Sequence, residues 1–125
     1  GNIGQMDEII KNKPEGFDVI SGDDGITFPL ITLGAVGVIS VLGNAFPAEF
    51  SKMNRLALEG NYAEALTIHH QFTEIINLLF ADGNPAGAKA MLNIMGMCEN
   101  KLRLPLVPAR EATYEKLRAA WEALK

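Results

Sequence analysis

The sequence predicts an α/β fold: a strand–helix–strand unit near the N-terminus, followed by a region built of helices alone. Three observations carry that reading. Two β-branched, apolar runs, residues 17–21 and 36–41, flank a short apolar segment at 26–33. Glycine and proline punctuate the junctions around them, and these are the strongest local breakers of regular structure. From Pro47 onward, apolar residues recur at three- and four-residue intervals, the period of a helix with one buried face.

The elements follow in order. Ile3, Met6, Ile9 and Ile10 lie at helical spacing, and Lys13-Pro14-Glu15-Gly16 stops that helix. Phe17-Asp18-Val19-Ile20-Ser21 predicts a short strand that ends in Gly22-Asp23-Asp24-Gly25. Residues 26–33 predict a helix of about two turns, with Pro29 tolerated in its first turn. Val36-Gly37-Val38-Ile39-Ser40-Val41 is almost wholly apolar, as a strand covered on both faces should be. Strand, helix and strand make a βαβ unit, which implies a parallel pair. Pro47 then opens a helix striped with Phe50, Met53, Leu56 and Ala57, and Gly60 closes it. Asn61 and Glu64 have the spacing of a capping box for a long helix ending near Phe80. Its expected buried side carries Tyr62, Ala65, Leu66, His69, Phe72, Ile76 and Leu79. Asn84-Pro85 predicts a cap with proline in the first helical position, and that helix runs to about Met97. Residues 104–108 must be extended, because each proline pushes its predecessor out of the helical region. A last helix bears Tyr114, Leu117, Ala120, Trp121 and Leu124 on one stripe.

Composition narrows the classes of function. The 125 residues suffice for one domain, and a hydrophobic content of 48% excludes a disordered chain. The net charge is −4 with no basic block, which argues against nucleic acid as a partner. The single cysteine, Cys98, excludes an internal disulfide and a cysteine-based zinc site. A reducing, cytoplasmic setting follows as the expectation. Residues 25–48 contain no charged side chain, yet Pro29, Gly34, Gly37, Gly43, Asn44 and Pro47 interrupt them too often for a membrane span. Gly1 in place of methionine, with no leader after it, predicts a piece of something longer.

Several residue groups have chemistry to weigh. Ser21-Gly22-Asp23-Asp24-Gly25 follows a strand, where α/β proteins place function, and its two carboxylates suit cation binding or acid–base work. The structural alternative is that Asp24 caps the next helix and the glycines permit a sharp turn. Residues 34–44 lack the glycine spacing of a phosphate loop. His69 and His70 are adjacent on a helix, point about 100° apart and do not chelate one metal ion. His69 belongs to the apolar face and His70 to solvent. Cys98, among methionines, is expected to be a small buried hydrophobe, and the Pro105–Pro108 crossing to be packed internally. Of Lys11, Lys13, Lys52, Lys89, Lys101, Lys116 and Lys125, none lies in a strand, and only Lys89 lacks charged or polar company. No residue is a convincing nucleophile. A parallel pair with bare edges is an awkward whole protein, so missing strands are expected beyond this sequence.

Taken together, Ser21-Gly22-Asp23-Asp24, residues 34–41, Asn44 and Pro47 resemble the dihydrodipicolinate synthase family. The likeness continues through residues 58–65, Asn84-Pro85 and residues 102–106, and so covers essentially the entire chain. The resemblance implies the C-terminal part of a (β/α)8 barrel plus a C-terminal helical extension. Residues 1–46 would hold the last βα units, with strands near 17–21 and 36–41. Residues 47–125 would hold the last barrel helix and the helical region. It further implies a homotetrameric enzyme that condenses pyruvate, held as a Schiff base on a lysine, with aspartate semialdehyde in lysine and diaminopimelate biosynthesis. That lysine would precede Gly1 by four residues, leaving this chain without a catalytic residue and inactive alone. No cofactor and no metal are implied. Gly22 and Ile39 would lie against substrate, Asp23 and Asp24 at the pocket rim, and Ile3, Gly4 and Leu33 at a subunit interface. Gly87 and Arg110 depart from the family pattern. Two other readings stand beside this one: a related pyruvate-dependent aldolase such as N-acetylneuraminate lyase, and a non-enzymatic helical interaction module.

Overall fold

The computed structural model describes residues 1–125. Helix α1 (Ile3–Asn12) opens the chain, its N-terminus capped by Asn2, whose side chain accepts the Gln5 N–H at 3.1 Å. Strand β1 (Ile20–Ser21) leads through a 3₁₀ turn at Asp24–Ile26 into α2 (Thr27–Leu33). Gly34, at φ 114°, ends α2 in the left-handed conformation that glycine alone adopts freely. Strand β2 (Gly37–Val38) follows and pairs parallel to β1, Ile20 opposite Gly37 and Ser21 opposite Val38. A 3₁₀ turn at Leu42–Asn44 then delivers the chain to α3 (Pro47–Leu58), α4 (Tyr62–Phe80), α5 (Ala86–Ile94) and α6 (Glu111–Ala123).

The two strands are shorter than the runs that predict them. A ladder lasts only as long as both partners run side by side, and the bonds Val36 N–H to Val19 C=O and Ile39 N–H to Ser21 C=O (both 2.9 Å) bracket it. Neither strand has a second neighbour. A groove of about 410 Å³ therefore lies open between β2 and α3, walled by Val36, Val38, Phe50 and Leu58.

The core sits among the helices. Met53 of α3, Ile75 and Leu79 of α4, Met91 of α5 and Leu117 of α6 are fully buried and converge with Leu42 from the turn after β2. Phe46 and Phe72 meet within it at 4.9 Å between ring centroids. A Cβ on Gly87 would overlap the backbone of Leu79. Its absence lets α5 press against α4. Tyr62 and Leu66, expected on the buried side of α4, are exposed, whereas Ile75 is buried. The α4 stripe is thus centred nearer Phe72 and Ile75 than the spacing alone suggests.

Two caps differ from expectation. Asn61 makes no capping bond, its amide reaching Glu59 instead at 3.4 Å. Pro85 occupies the N-cap of α5 rather than the first helical position, and the helix ends at Ile94, short of Met97. Arg110 offers no side-chain cap to α6. Asp82 supplies one from the α4–α5 loop: its carboxylate accepts the Arg110 backbone N–H at 2.8 Å and the guanidinium Nε–H at 2.6 Å. An anion at a helix N-terminus is favoured by the helix dipole.

The hydrogen bond from Arg110, with others from Thr113 and the Arg110 backbone, lowers the Asp82 carboxyl from its ordinary 3.8 to about 2. A carboxylate stronger in the fold than in the unfolded chain stabilises the fold above its ordinary value and ceases to do so as pH falls through its lowered one. Amide exchange at the start of α6, expressed relative to the intrinsic rate at each pH, is therefore expected to hold steady above pH ~4 and to quicken as pH falls towards ~2. In Asp82→Asn it should be fast throughout. A variant with the unmodified pH response would show that Asp82 does not anchor α6.

Candidate functional site

The strand ends and the start of α5 enclose the most telling concavity, about 490 Å³ in volume. Gly22 and Ile39 contribute from the ends of β1 and β2, Ser40, Val41 and Asn44 from the following turn, and Asn84, Pro85, Ala88, Lys89 and Leu92 from α5 and its approach. Lys89 carries the only charge among these residues.

Hydrogen bonds local to each strand end hold the site in shape. The Ser21 hydroxyl accepts the Asp23 N–H at 3.2 Å and the Thr27 hydroxyl at 3.0 Å. Asp23 in turn accepts the Gly25 N–H at 2.9 Å, closing the turn that leads to α2. On the other side, the Ser40 hydroxyl accepts the Gly43 N–H at 2.7 Å, and the Asn44 amide donates to the carbonyls of Ser40 and Val41 at 3.2 and 3.1 Å.

Asp24 joins the two halves. It is 1% exposed, and its Oδ2 accepts the N–H groups of Val41 and Leu42, both at 2.9 Å. This corrects two expectations. Asp24 faces inward, away from the pocket rim, and it caps the turn after β2, while Asp23 serves the turn before α2. Its Oδ1 is buried without a partner in this chain. Asp23, half-buried, borders a neighbouring hollow with Gly22, Gly25, Ile76, Asn77 and Phe80.

Gly22 and Ile39, expected against substrate, share the cavity. A Cβ on Gly22 would meet nothing within 4 Å, and its φ is not in the left-handed region. Neither packing nor backbone conformation within this chain demands glycine there. Ile39 is 78% exposed, and its N–H is engaged by the Ser21 carbonyl, which leaves only its own carbonyl free. The one main-chain group that Ile39 still offers is an acceptor.

Ile3 and Gly4 are exposed on α1, and Leu33 is half-buried at the end of α2. No three histidine, cysteine, aspartate or glutamate side chains gather closely enough to hold a metal ion. No helix is long and apolar enough to cross a membrane. His69 is half-buried against Phe28, 5.7 Å between centroids, and His70 is exposed. Burial, and secondarily the neighbouring His70, lower the affinity of His69 for a proton.

Two other expectations are corrected. Cys98 is half-buried in a turn, its carbonyl held by the Asn93 amide at 2.8 Å. Leu104 and Val107, expected inside a packed crossing, are 86% and 63% exposed. The residues sequence reasoning missed are Asn84 and Lys89. They lie far from both strands along the chain, and the one available signal was the lack of polar company around Lys89.

Comparison with known proteins places this geometry. The model of the Dihydrodipicolinate synthetase family matches residues 1–124. A 4-hydroxy-tetrahydrodipicolinate synthase of Phocaeicola vulgatus is 76% identical over all 125 residues, which cover 42% of its own length. Among solved structures, dihydrodipicolinate synthase from Aquifex aeolicus superposes with a TM-score of 0.92 at 39% identity, over 98% of this chain and 42% of that one. The chloride-inhibited dihydrodipicolinate synthase from Acinetobacter baumannii complexed with pyruvate superposes with a TM-score of 0.93 at 32% identity, over 98% of this chain and 42% of that one. The chain thus spans about two-fifths of the proteins it matches. The parallel pair with its helices is the C-terminal part of a (β/α)8 barrel, followed by the helical extension. On the match across residues 1–124, this chain belongs to the Dihydrodipicolinate synthetase family.

Proposed function

We propose that this chain is the C-terminal portion of a synthase that condenses pyruvate, bound as a Schiff base, with L-aspartate semialdehyde on the route to diaminopimelate and lysine. The observation that carries the reading is the junction of Gly22, Ile39 and Lys89 around one cavity, in a chain 76% identical to part of a 4-hydroxy-tetrahydrodipicolinate synthase. The strand ends of a barrel are where such sites are built. Residues 1–46 supply the last βα units, and residues 47–125 the last barrel helix and its extension. The Schiff-base lysine belongs to the segment before Gly1, so this portion alone does no chemistry.

In the complete protein, Gly22 gives substrate close access to the backbone, and the free carbonyl of Ile39 is an acceptor for the ammonium group of aspartate semialdehyde, since pyruvate has no hydrogen-bond donor. Asp23 shapes the neighbouring rim. Ile3, Gly4 and Leu33 lie at a contact between subunits of a cytoplasmic homotetramer.

Borohydride trapping tests the reading. Reduction of an imine between pyruvate and a lysine fixes the adduct irreversibly, and mass spectrometry reads it. The complete protein is expected to gain one adduct per chain, on a lysine outside residues 1–125, while this portion alone gains none. An adduct on any lysine of this portion, or none on the complete protein, would overturn the reading. Nothing in the site favours N-acetylneuraminate lyase chemistry or a purely helical interaction module over this one.

A further inference from the structure

Lys89 stands apart from the other cations of the chain. It is half-buried in the second turn of α5, lines the cavity that holds Gly22 and Ile39, and forms no ion pair. The same side chain also lines the adjoining hollow, of about 600 Å³, with Lys101 and Arg103. Lys101 is neutralised by Glu99 at 2.7 Å, whereas Arg103 has no carboxylate partner. No acidic side chain lines either concavity. The cations without an ion pair that line the two concavities are therefore Arg103 in the outer hollow and Lys89, which lines both.

A cation on a low-dielectric wall focuses its field into the cleft and raises the local concentration of anions. Desolvating Lys89 without a partner costs free energy, which an arriving carboxylate offsets. We propose that Lys89 is an electrostatic capture residue that draws small carboxylate anions into the cavity, an inference that rests on the pyruvate-consuming activity proposed above. Its role lies in the encounter with substrate and leaves bond formation to other groups. Net charge sets the selectivity: pyruvate is a monoanion, whereas aspartate semialdehyde carries its own ammonium group and has no net charge to be drawn.

The test compares the complete protein with its Lys89→Gln and Lys89→Arg variants, and with Lys116→Gln, which removes an equal charge from the exposed face of α6. At an ionic strength of about 0.01 M, Lys89→Gln is expected to lower kcat/KM for pyruvate about tenfold, with kcat within about twofold and kcat/KM for the aldehyde nearly unmoved. Near 0.1 M, where the Debye length shrinks to about 10 Å, the deficit should largely close. Lys89→Arg should retain the unmodified values, as should Lys116→Gln. The unmodified protein provides a check that needs no variant, since its own kcat/KM for pyruvate must fall as salt rises.

A loss in Lys89→Gln that is independent of salt, or equal for both substrates, would overturn capture in favour of a structural role, as would no loss at all. Normal pyruvate turnover that ignores Lys89 defeats this inference alone. Absence of pyruvate turnover in the unmodified protein defeats the proposed function as well.

Discussion

Replacing Asp24 with alanine is expected to destabilise the fold by about 2–5 kcal/mol, because it strips the acceptor from two backbone N–H groups at once. Those of Val41 and Leu42 each lie 2.9 Å from Oδ2, and the Leu42 residue is completely buried. Each orphaned donor costs about 1–3 kcal/mol, and the carboxylate is a charge-assisted partner for both. Against a total stability of about 5–15 kcal/mol for a domain, such a loss is severe. Asp24→Asn keeps one acceptor oxygen and should recover part of it, at a remaining cost of about 1–2 kcal/mol. Urea unfolding of the complete protein measures both variants, and amide exchange at Val41 and Leu42 localises the effect. An alanine variant within about 0.5 kcal/mol of the parent, the scatter of an ordinary surface change, would show that the two N–H groups find other partners.

Self-association is the second large expected effect. On its own, this chain presents Ile20 and Ile39 at 52% and 78% exposure, beside strands with unpaired outer edges. An uncovered strand edge offers a row of backbone donors and acceptors to any other chain, and the apolar groove beside β2 adds a hydrophobic incentive. Sedimentation velocity should reveal a concentration-dependent shift from monomer to larger species. Lysines introduced at Val36 and Ile39, in the manner of natural edge strands, should hold the chain monomeric. Adding the rest of the Phocaeicola vulgatus relative in trans should have the same effect by covering those edges. A sharp monomer boundary for the unmodified chain at high concentration would contradict the account.

Most of the helical architecture was legible because its signals are local. Pro47 lies where it can begin α3, Gly34 and Gly60 adopt positive φ at helix ends, and the α3 stripe of Phe50, Met53 and Ala57 is buried as its spacing requires. The strands were legible in type and order but not in length, since a strand's extent belongs to its partners rather than to its own residues. What escaped notice was long-range. The bond from Asp24 to Val41 joins residues 17 apart, and nothing near Asp24 marks its destination. The Asp82–Arg110 anchor spans 28 residues in the same way. At the cavity, Gly22 and Ile39 came from family resemblance, whereas Asn84 and Lys89 reach it only once α5 folds back over the strand ends. Lys89 lies on a helix, so its position relative to the strands in sequence does not mark it.

Asn93 is a fastening point between two elements. Its amide holds the Cys98 carbonyl at 2.8 Å, and its oxygen accepts the Tyr114 hydroxyl at 2.6 Å, so α5 is fastened both to the first bend after it and to α6. The bond from the Tyr114 hydroxyl thus ties the C-terminal helix directly to the element that carries Lys89, so the two are expected to keep their spacing together.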